Sequence, residues 1–349
     1  MELFVGRVDF ARLPAFGTGD TAMTPEAGLL SGYLNKTHAY RHGTIKLAPR
    51  GVVYSTHAID IPDDFKLNPE TVTIYDNAIR NSSALYGTGA GTIRIGDPYF
   101  QKTDDYLFGF LFGPGAVQAI SVTKPNPPGV GVEGDFMQHT TAQLVNSESK
   151  IGFYVLSGSY FADFQFNNDF MRASLATPSF GFAAVWTRGA EWEFQDMALG
   201  EPLGMGMLKM FNRGFVSTRW NTSNGRVVES ILGDPTLRAH VIASPTVTRQ
   251  QNESGSTVTL NISPGSGAAG CTYYVYRAQG LLPPANGASA GFSLISGANS
   301  ISGPTFQSIV PDGAQEYTFM VRAVKGVTTG AGAFNHLSQG TYWVYDPTP

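Results

Sequence analysis

Three segments of this chain are apolar along their whole length, and each is short enough to be a single strand. Tyr106-Leu-Phe-Gly-Phe-Leu-Phe112 carries apolar side chains on both faces, as does Ile151-Gly-Phe-Tyr-Val-Leu156, and residues 180–186 form a third such run. Side chains alternate between the two faces of a strand, so a strand with no polar face must be covered from both sides. Helices on both faces of a parallel sheet meet that demand, and helical patterning does separate these runs. Residues 24–40 read as a helix entered through Thr24-Pro25-Glu26, with Thr24 as N-cap and Pro25 at the first helical position. Residues 135–146 and 168–176 read as two more, and 199–211 as an amphipathic helix with Met205, Leu208 and Phe211 on one face. Further strands are expected at 3–8, 51–54, 72–75 and 92–95. The alternation implies an α/β domain with a mostly parallel sheet and flanking helices.

The pattern changes after Ile231-Leu-Gly-Asp-Pro-Thr-Leu-Arg238, where helical periodicity stops. Short alternating stretches follow at 258–262, 272–277, 292–295, 305–310, 316–324 and 341–345, separated by Gly, Pro and Ser turns. In Tyr317-Thr-Phe319-Met-Val321-Arg-Ala323 every other residue is apolar. Six or seven such strands in roughly 100 residues describe a β-sandwich of immunoglobulin or fibronectin type, with Tyr317 as its tyrosine corner. The expected division is therefore 1–240 and 244–349.

Composition removes several functions. Only 14% of residues are charged, the formal net charge is −4, and no Lys/Arg run interleaves with aromatics. A nucleic-acid partner is thus not expected. Cys271, the single cysteine, lies in the sandwich, which excludes a disulfide framework, a Cys-based metal site and a cysteine nucleophile in the α/β domain. His38 and His42 stand one helical turn apart, but no carboxylate or third ligand is near them in sequence, so no metal is expected. Asp104-Asp105 and Glu191-Trp192-Glu193 lack the Asp-x-Asp-x-Asp-Gly pattern of a calcium loop and read as solvated acids. The glycine-rich stretches 86–91 and 109–115 do not end in Gly-Lys-Ser/Thr and read as turns, so no cofactor is expected. No window approaches the ~18 apolar residues of a membrane span. Residues 1–7 lack a basic leader and read as a strand, as if the chain began inside a domain, with a sheet edge near 3–8 open to pairing.

Two regions resemble known families. Tyr273-Tyr-Val-Tyr-Arg-Ala278 and the Tyr317 strand resemble a fibronectin type III domain from about residue 244 to the end. Val5-Gly6-Arg7-Val8, Ser157-Gly158-Ser159-Tyr160-Phe161-Ala162-Asp163-Phe164, and Leu199-Gly200-Glu201 followed by Leu232-Gly233-Asp234-Pro235-Thr236-Leu237 resemble the gingipain family of cysteine peptidases, over roughly 1–240. That resemblance implies a caspase-like α/β fold, a nucleophilic cysteine after one central strand, and a His-Gly base after its neighbour. Here Ser159 stands at the nucleophile position. Phe112-Gly113-Pro114-Gly115 stands where His-Gly is expected, with no histidine within twenty residues.

An isolated serine hydroxyl stays protonated at neutral pH and needs a base beside it. His139 is the candidate, oriented by Asp135 or Asp163, with the N–H groups of Gly158 and Tyr160 as an oxyanion nest. The end of a central strand is also where open α/β sheets place ligands, which makes Gly158, Tyr160 and Asp163 candidate binding residues. Trp192, with its flanking glutamates, is a candidate platform for a sugar, while Trp186 reads as core. The expectation is a pseudo-peptidase that binds or adheres, as part of a secreted or surface-associated bacterial protein. Its rival is an active hydrolase using Ser159 or residues upstream. A peptide or protein partner comes first, a carbohydrate second; oligomeric state is not encoded legibly.

Overall fold

The structure, a computed structural model, describes residues 6–18, 23–55, 91–94, 104–113, 115–123, 136–187, 195–212, 229–249, 256–281, 291–297 and 299–347. The chain divides into two units. The first comprises Met1–Thr37, Leu47–Ala239 and Thr328–Gly332; the second comprises His38–Lys46, His240–Val327 and Ala333–Pro349.

In chain order the first unit's strands are β1 (Gly51–Ser55), β2 (Gly91–Arg94), β3 (Tyr106–Phe112), β4 (Gly115–Ala116), β5 (Ala119–Thr123), β6 (Phe136–Thr140), β7 (Ile151–Ser157), β8 (Ala183–Thr187) and β9 (Glu229–Gly233). Six of them form one sheet in the order β2-β1-β3-β7-β8-β9. Every neighbouring pair is parallel except β8 and β9, which are antiparallel. The mixed sheet with helices thus follows the apolar runs. All seven residues of β7 are buried, as a central strand covered on both faces requires. Tyr154 and Leu156 join a core with Met171 and Leu175, while the Phe153 ring stacks on Phe108 across the strand pair at 5.2 Å.

The helices are α1 (Met23–Arg41), α2 (Thr141–Asn146), α3 (Phe170–Ala176), α4 (Gln195–Ala198) and α5 (Leu203–Asn212). Helix α1 begins at Met23, so Pro25 sits in its first turn rather than at the first position; no N–H is lost there, because first-turn amides have no intrahelical acceptor. Tyr33, Lys36 and Thr37 are buried on it, a stripe too polar to be recognised as a core face. Lys36 Nζ donates to the carbonyls of Leu175 (2.7 Å), Thr177 (2.6 Å) and Phe180, closing the C-terminal end of α3. Burial pushes the Lys36 ammonium down to about 7, with Glu148 pulling the other way. The Tyr33 hydroxyl donates to the Phe182 carbonyl and accepts from the Asp234 N–H.

One expected helix is wrong in part. Residues 136–140 are not helical: they form β6 in a second, three-stranded antiparallel sheet, β4-β5-β6, in which His139 lies opposite Ile120. The helix starts only at Thr141, because Thr140 closes a reciprocal capping box with Gln143. Of the strand expected at 3–8, the described part is an isolated parallel bridge from Arg7 to Leu232 of β9. The strand expected at 72–75 lies outside the described residues.

The second unit contains β10 (Thr246–Arg249), β11 (Thr257–Ser263), β12 (Thr272–Gln279), β13 (Ser293–Leu294), β14 (Thr305–Ile309), β15 (Tyr317–Thr328), β16 (Ala333–Leu337) and β17 (Thr341–Tyr345). They form an antiparallel sheet β10-β11-β14 and a second sheet β13-β12-β15-β16, with β17 also paired to β15. Val258, Leu260 and Ile262 from one sheet share a core with Val275, Phe319 and Val321 from the other, which makes this a sandwich. The Tyr317 hydroxyl accepts from the Asp312 N–H at 3.2 Å, the corner its position implied. Cys271 is a buried free thiol whose ionisation burial disfavours.

Candidate functional site

Strands β3 and β7 are neighbours and parallel, with Phe112 opposite Ser157, so both chains leave the sheet at the same edge. The Gly113 N–H donates to the Ser157 carbonyl at 3.1 Å, extending the ladder one step beyond the strands. Beyond it the two loops touch through bare backbone. A Cβ on Gly115 would stand 2.3 Å from the Ser159 carbonyl oxygen, and one on Gly158 would stand 2.4 Å from that of Gly113. Trp186, half-buried in β8, donates its indole N–H to the Gly158 carbonyl at 2.7 Å. Ser159 follows, exposed in the bend after β7.

Tyr160 is also exposed and takes a left-handed backbone conformation, φ 68°. Its carbonyl accepts from the N–H of Asp163, and the Asp163 carbonyl accepts from Phe166, so the segment closes into successive turns. Gly158, Ser159, Tyr160 and Asp163 therefore fall together at one corner of the sheet. His139 lies on β6, opposite Ile120 of β5, which in turn pairs with Gly115. It is a fully buried strand residue, within the stretch 135–146 where a helix was expected. Burial pushes its imidazole down to about 4, far from the near-neutral basicity that suits proton abstraction at pH 7. Trp192 and its glutamates lie outside the described residues, as do residues 86–90 of the glycine-rich stretch.

The structure adds Arg12 and Asn168, which no motif announced. Arg12, Tyr160 and Asn168 are the three non-glycine residues of positive φ among the described residues. Arg12 and Asn168 are joined: the Asn168 N–H donates to the Arg12 carbonyl at 2.7 Å, and Asn168 Oδ1 accepts from the Ala15 N–H at 2.8 Å. Arg12 also donates to the Gln165 carbonyl. Beside these contacts opens a cleft of about 760 Å³ lined by Arg12, Ala116, Gln118, Gln165, Phe166 and Asn167. Its Ala116 wall is one residue from Gly115, which rests on Ser159. Conformations of this kind cost on the order of 1 kcal/mol or more and persist where surrounding contacts over-determine them.

A buried charge cluster anchors the same loop. Arg172, 3% exposed, donates to Asp9 at 2.9 Å and lies over the Phe164 ring at 5.0 Å, with Arg7 over the same ring at 5.5 Å. Burial raises the Asp9 carboxyl, but the Ala11 N–H and the two arginines outweigh it and hold Asp9 below its ordinary value. Asp169 caps α3 through Oδ1 to the Arg172 N–H, while its Oδ2 and the Arg172 Nε and Nη1 atoms have no hydrogen-bond partner among the described residues. Burial pushes the Asp169 carboxyl up to about 7 against the N–H and charge of Arg172.

Of the sequence's metal candidates, His38, His42, Asp104 and Asp105 fall among the described residues. The His38 and His42 rings approach to 4.2 Å, and His42 Nδ1 shares a hydrogen bond with Ser244 Oγ. Asp104 and Asp105 are not simply solvated: Arg50 lies 3.5 and 3.6 Å from their carboxylates, and Asp105 accepts from the Ala48 N–H. Among the described residues no three His, Cys, Asp or Glu side chains gather as a metal site, and no helix is long and apolar enough to cross a membrane.

No family model and no curated protein matches the sequence. Among solved structures, one of a protease aligns with 91% of this chain and 73% of its own, at 13% identity and a TM-score of 0.44. The fourth FNIII domain of a human protein aligns with 29% of this chain and 72% of its own, at 15% identity and a TM-score of 0.19. The twitchin kinase region of C. elegans aligns with 28% of this chain and 15% of its own, at 12% identity and a TM-score of 0.19.

Proposed function

We propose that the first unit is a non-catalytic relative of the gingipain-type peptidases with a caspase-like sheet, and that the second is a fibronectin type III-like module. Together they bind a peptide or protein partner, as part of a secreted or surface-associated bacterial protein. One observation carries this reading. At the edge where β3 and β7 end, the loops interlock through Gly115 and Gly158 with less than a side chain's clearance, and Ser159 stands exposed where the resemblance expects a cysteine. His139 is enclosed and only weakly basic. A serine hydroxyl without a matched base is not a useful nucleophile at neutral pH.

The neighbouring cleft suits binding. Gln118, Gln165 and Asn167 offer amide donors and acceptors, and Phe166, 48% exposed, offers an apolar surface. Planar amides beside an aromatic ring match the peptide groups and side chains of an extended segment. The sandwich serves as spacer or docking module.

The purified chain should not hydrolyse peptide or ester substrates above background, and Ser159→Ala should behave identically. Turnover by the wild-type chain that disappears in Ser159→Ala would overturn the proposal and establish a serine hydrolase.

A further inference from the structure

Strand β14 stands at one end of the sheet β10-β11-β14, and among the described strands it has a neighbour on one side alone. Its register with β11 runs from Thr257↔Ile309 to Asn261↔Thr305 without a bulge. The bonds at its two ends fix which way the backbone faces. The Val310 N–H donates to the Ser256 carbonyl at 2.8 Å, and the Pro304 carbonyl accepts from the Ile262 N–H at 2.6 Å. In an antiparallel ladder, alternate residues turn both backbone groups to the partner strand. Phe306 and Ser308 therefore face β11, while Thr305, Gln307 and Ile309 turn their N–H and C=O groups out of the sheet. The Ile309 carbonyl accepts from Arg277 Nη1 at 2.7 Å. The three outward N–H groups and the carbonyls of Thr305 and Gln307 have no hydrogen-bond partner among the described residues.

An open edge of this kind is ordinarily blunted by a lysine, a proline, a bulge or extreme shortness. None of these lies within Thr305-Phe-Gln-Ser-Ile309, although Pro304 and Pro311 bound it. By contrast β13, an edge of the other sheet, is two residues long, and just before β10 the Pro245 carbonyl is taken by the Thr341 hydroxyl. Phe306 packs on the sandwich core, whereas Thr305, Gln307 and Ile309 are exposed, Ile309 at 69%. The strand is also its own complement. Gln307 is the middle of the three outward residues, so a second β14 laid antiparallel about a two-fold axis sets Gln307 against Gln307 and Thr305 against Ile309. The Gln307 N–H then meets the opposite Gln307 carbonyl, and the Ile309 N–H meets the opposite Thr305 carbonyl, each bond made twice. The Thr305 N–H reaches the second lone pair of the Ile309 carbonyl. No charged residue lies between 303 and 310 to repel its twin.

We propose that β14 pairs with β14 of a second copy of this chain, joining two sandwich sheets into one. Five residues of edge make a small interface, so the association is weak, with a Kd of about 10 μM to 1 mM. Sedimentation velocity on the full chain across that range should show monomer passing to dimer. Gln307→Lys sets two ammonium groups face to face on the axis and should stay monomeric; the side chain is exposed, so the variant should fold. Covalent trapping reads the register independently. Hydrogen-bonded antiparallel pairs hold their Cα atoms about 5.5 Å apart, within disulfide reach, so Gln307→Cys should oxidise to a linked dimer. Ile309→Cys should not, because its twin lies roughly 13 Å further along the strand. The native thiol Cys271 is buried, and the wild type should give no covalent dimer. A wild-type chain still monomeric at about 1 mM overturns the proposal. So does dimerisation unchanged by Gln307→Lys, a Gln307→Cys chain that fails to cross-link, or equal trapping of the two cysteine variants.

Discussion

Asp169 concentrates the electrostatics of the candidate site in one carboxyl. Its Oδ1 caps α3, its Oδ2 is buried without a partner among the described residues, and its ionisation is pushed up to about 7 by burial. An unfolded aspartate titrates near 3.8. Between about pH 4 and pH 7 the native state therefore holds the proton that the unfolded chain has lost. The stabilising contribution is complete below that window and is lost as pH rises through 7. The substitution Asp169→Asn would keep the cap, since Asn and Asp cap equally well, and would leave nothing there to titrate. Urea midpoints at pH 5 and pH 8 should show the wild type losing stability on the alkaline side and Asp169→Asn losing less, with the variant ahead at pH 8 by about 1–3 kcal/mol. Equal pH slopes in the two proteins would remove Asp169 from this role. None of this is visible in sequence, where Asn-Asn-Asp-Phe reads simply as the start of a helix.

At the scale of elements, β3 and β7 were legible because both are apolar throughout, and the structure buries them at the centre of the sheet. Strand β6 was not. Phe136-Met-Gln-His-Thr140 shows neither clean alternation nor a helical stripe, and its identity comes from antiparallel pairing with β5. A local signal did exist in Thr140-Thr-Ala-Gln143, whose spacing is that of a capping box and marks the true helix start. The two loops beyond β3 and β7 make an element-level prediction. Gly158→Ala should destabilise by about 1–3 kcal/mol, because its methyl group would overlap the Gly113 carbonyl. Gly28→Ala, in α1 with nothing within 4 Å of the added carbon, should instead stabilise by about 0.5–1 kcal/mol. Chemical denaturation of the pair separates them, and a harmless Gly158→Ala would show that the loops are not interlocked.

For the whole molecule, the shift from helical to alternating patterning near residue 240 suggests one cut, yet short segments cross it. His38–Lys46 belongs to the second unit, where His42 bonds to Ser244 and Lys46 to Ser266, and Thr328–Gly332 belongs to the first. A fragment of residues 240–349 keeps the sandwich core but loses His42 and Lys46. It should fold, with a urea midpoint below that of the corresponding transition in the full chain. A fragment as stable as the parent would show that residues 38–46 contribute nothing to that unit.

Periodicity is a local property, and it was enough to establish both architectures from the order of residues. Strands apolar on both faces demand covering layers, and alternating strands between turns demand a sandwich. Tyr317 could be assigned its corner for the same reason, its acceptor role being met five residues away. What sits beside what was settled only on folding. Lys36 meets carbonyls some 140 residues distant, Arg12 meets Gln165, and Lys46 comes to share a pocket with Lys325 and two histidines. Each of these polar groups is ordinary in its own stretch of chain. Around Lys36 the packed molecule also removes water, and the cost of leaving that ammonium unpaired dictates its partners.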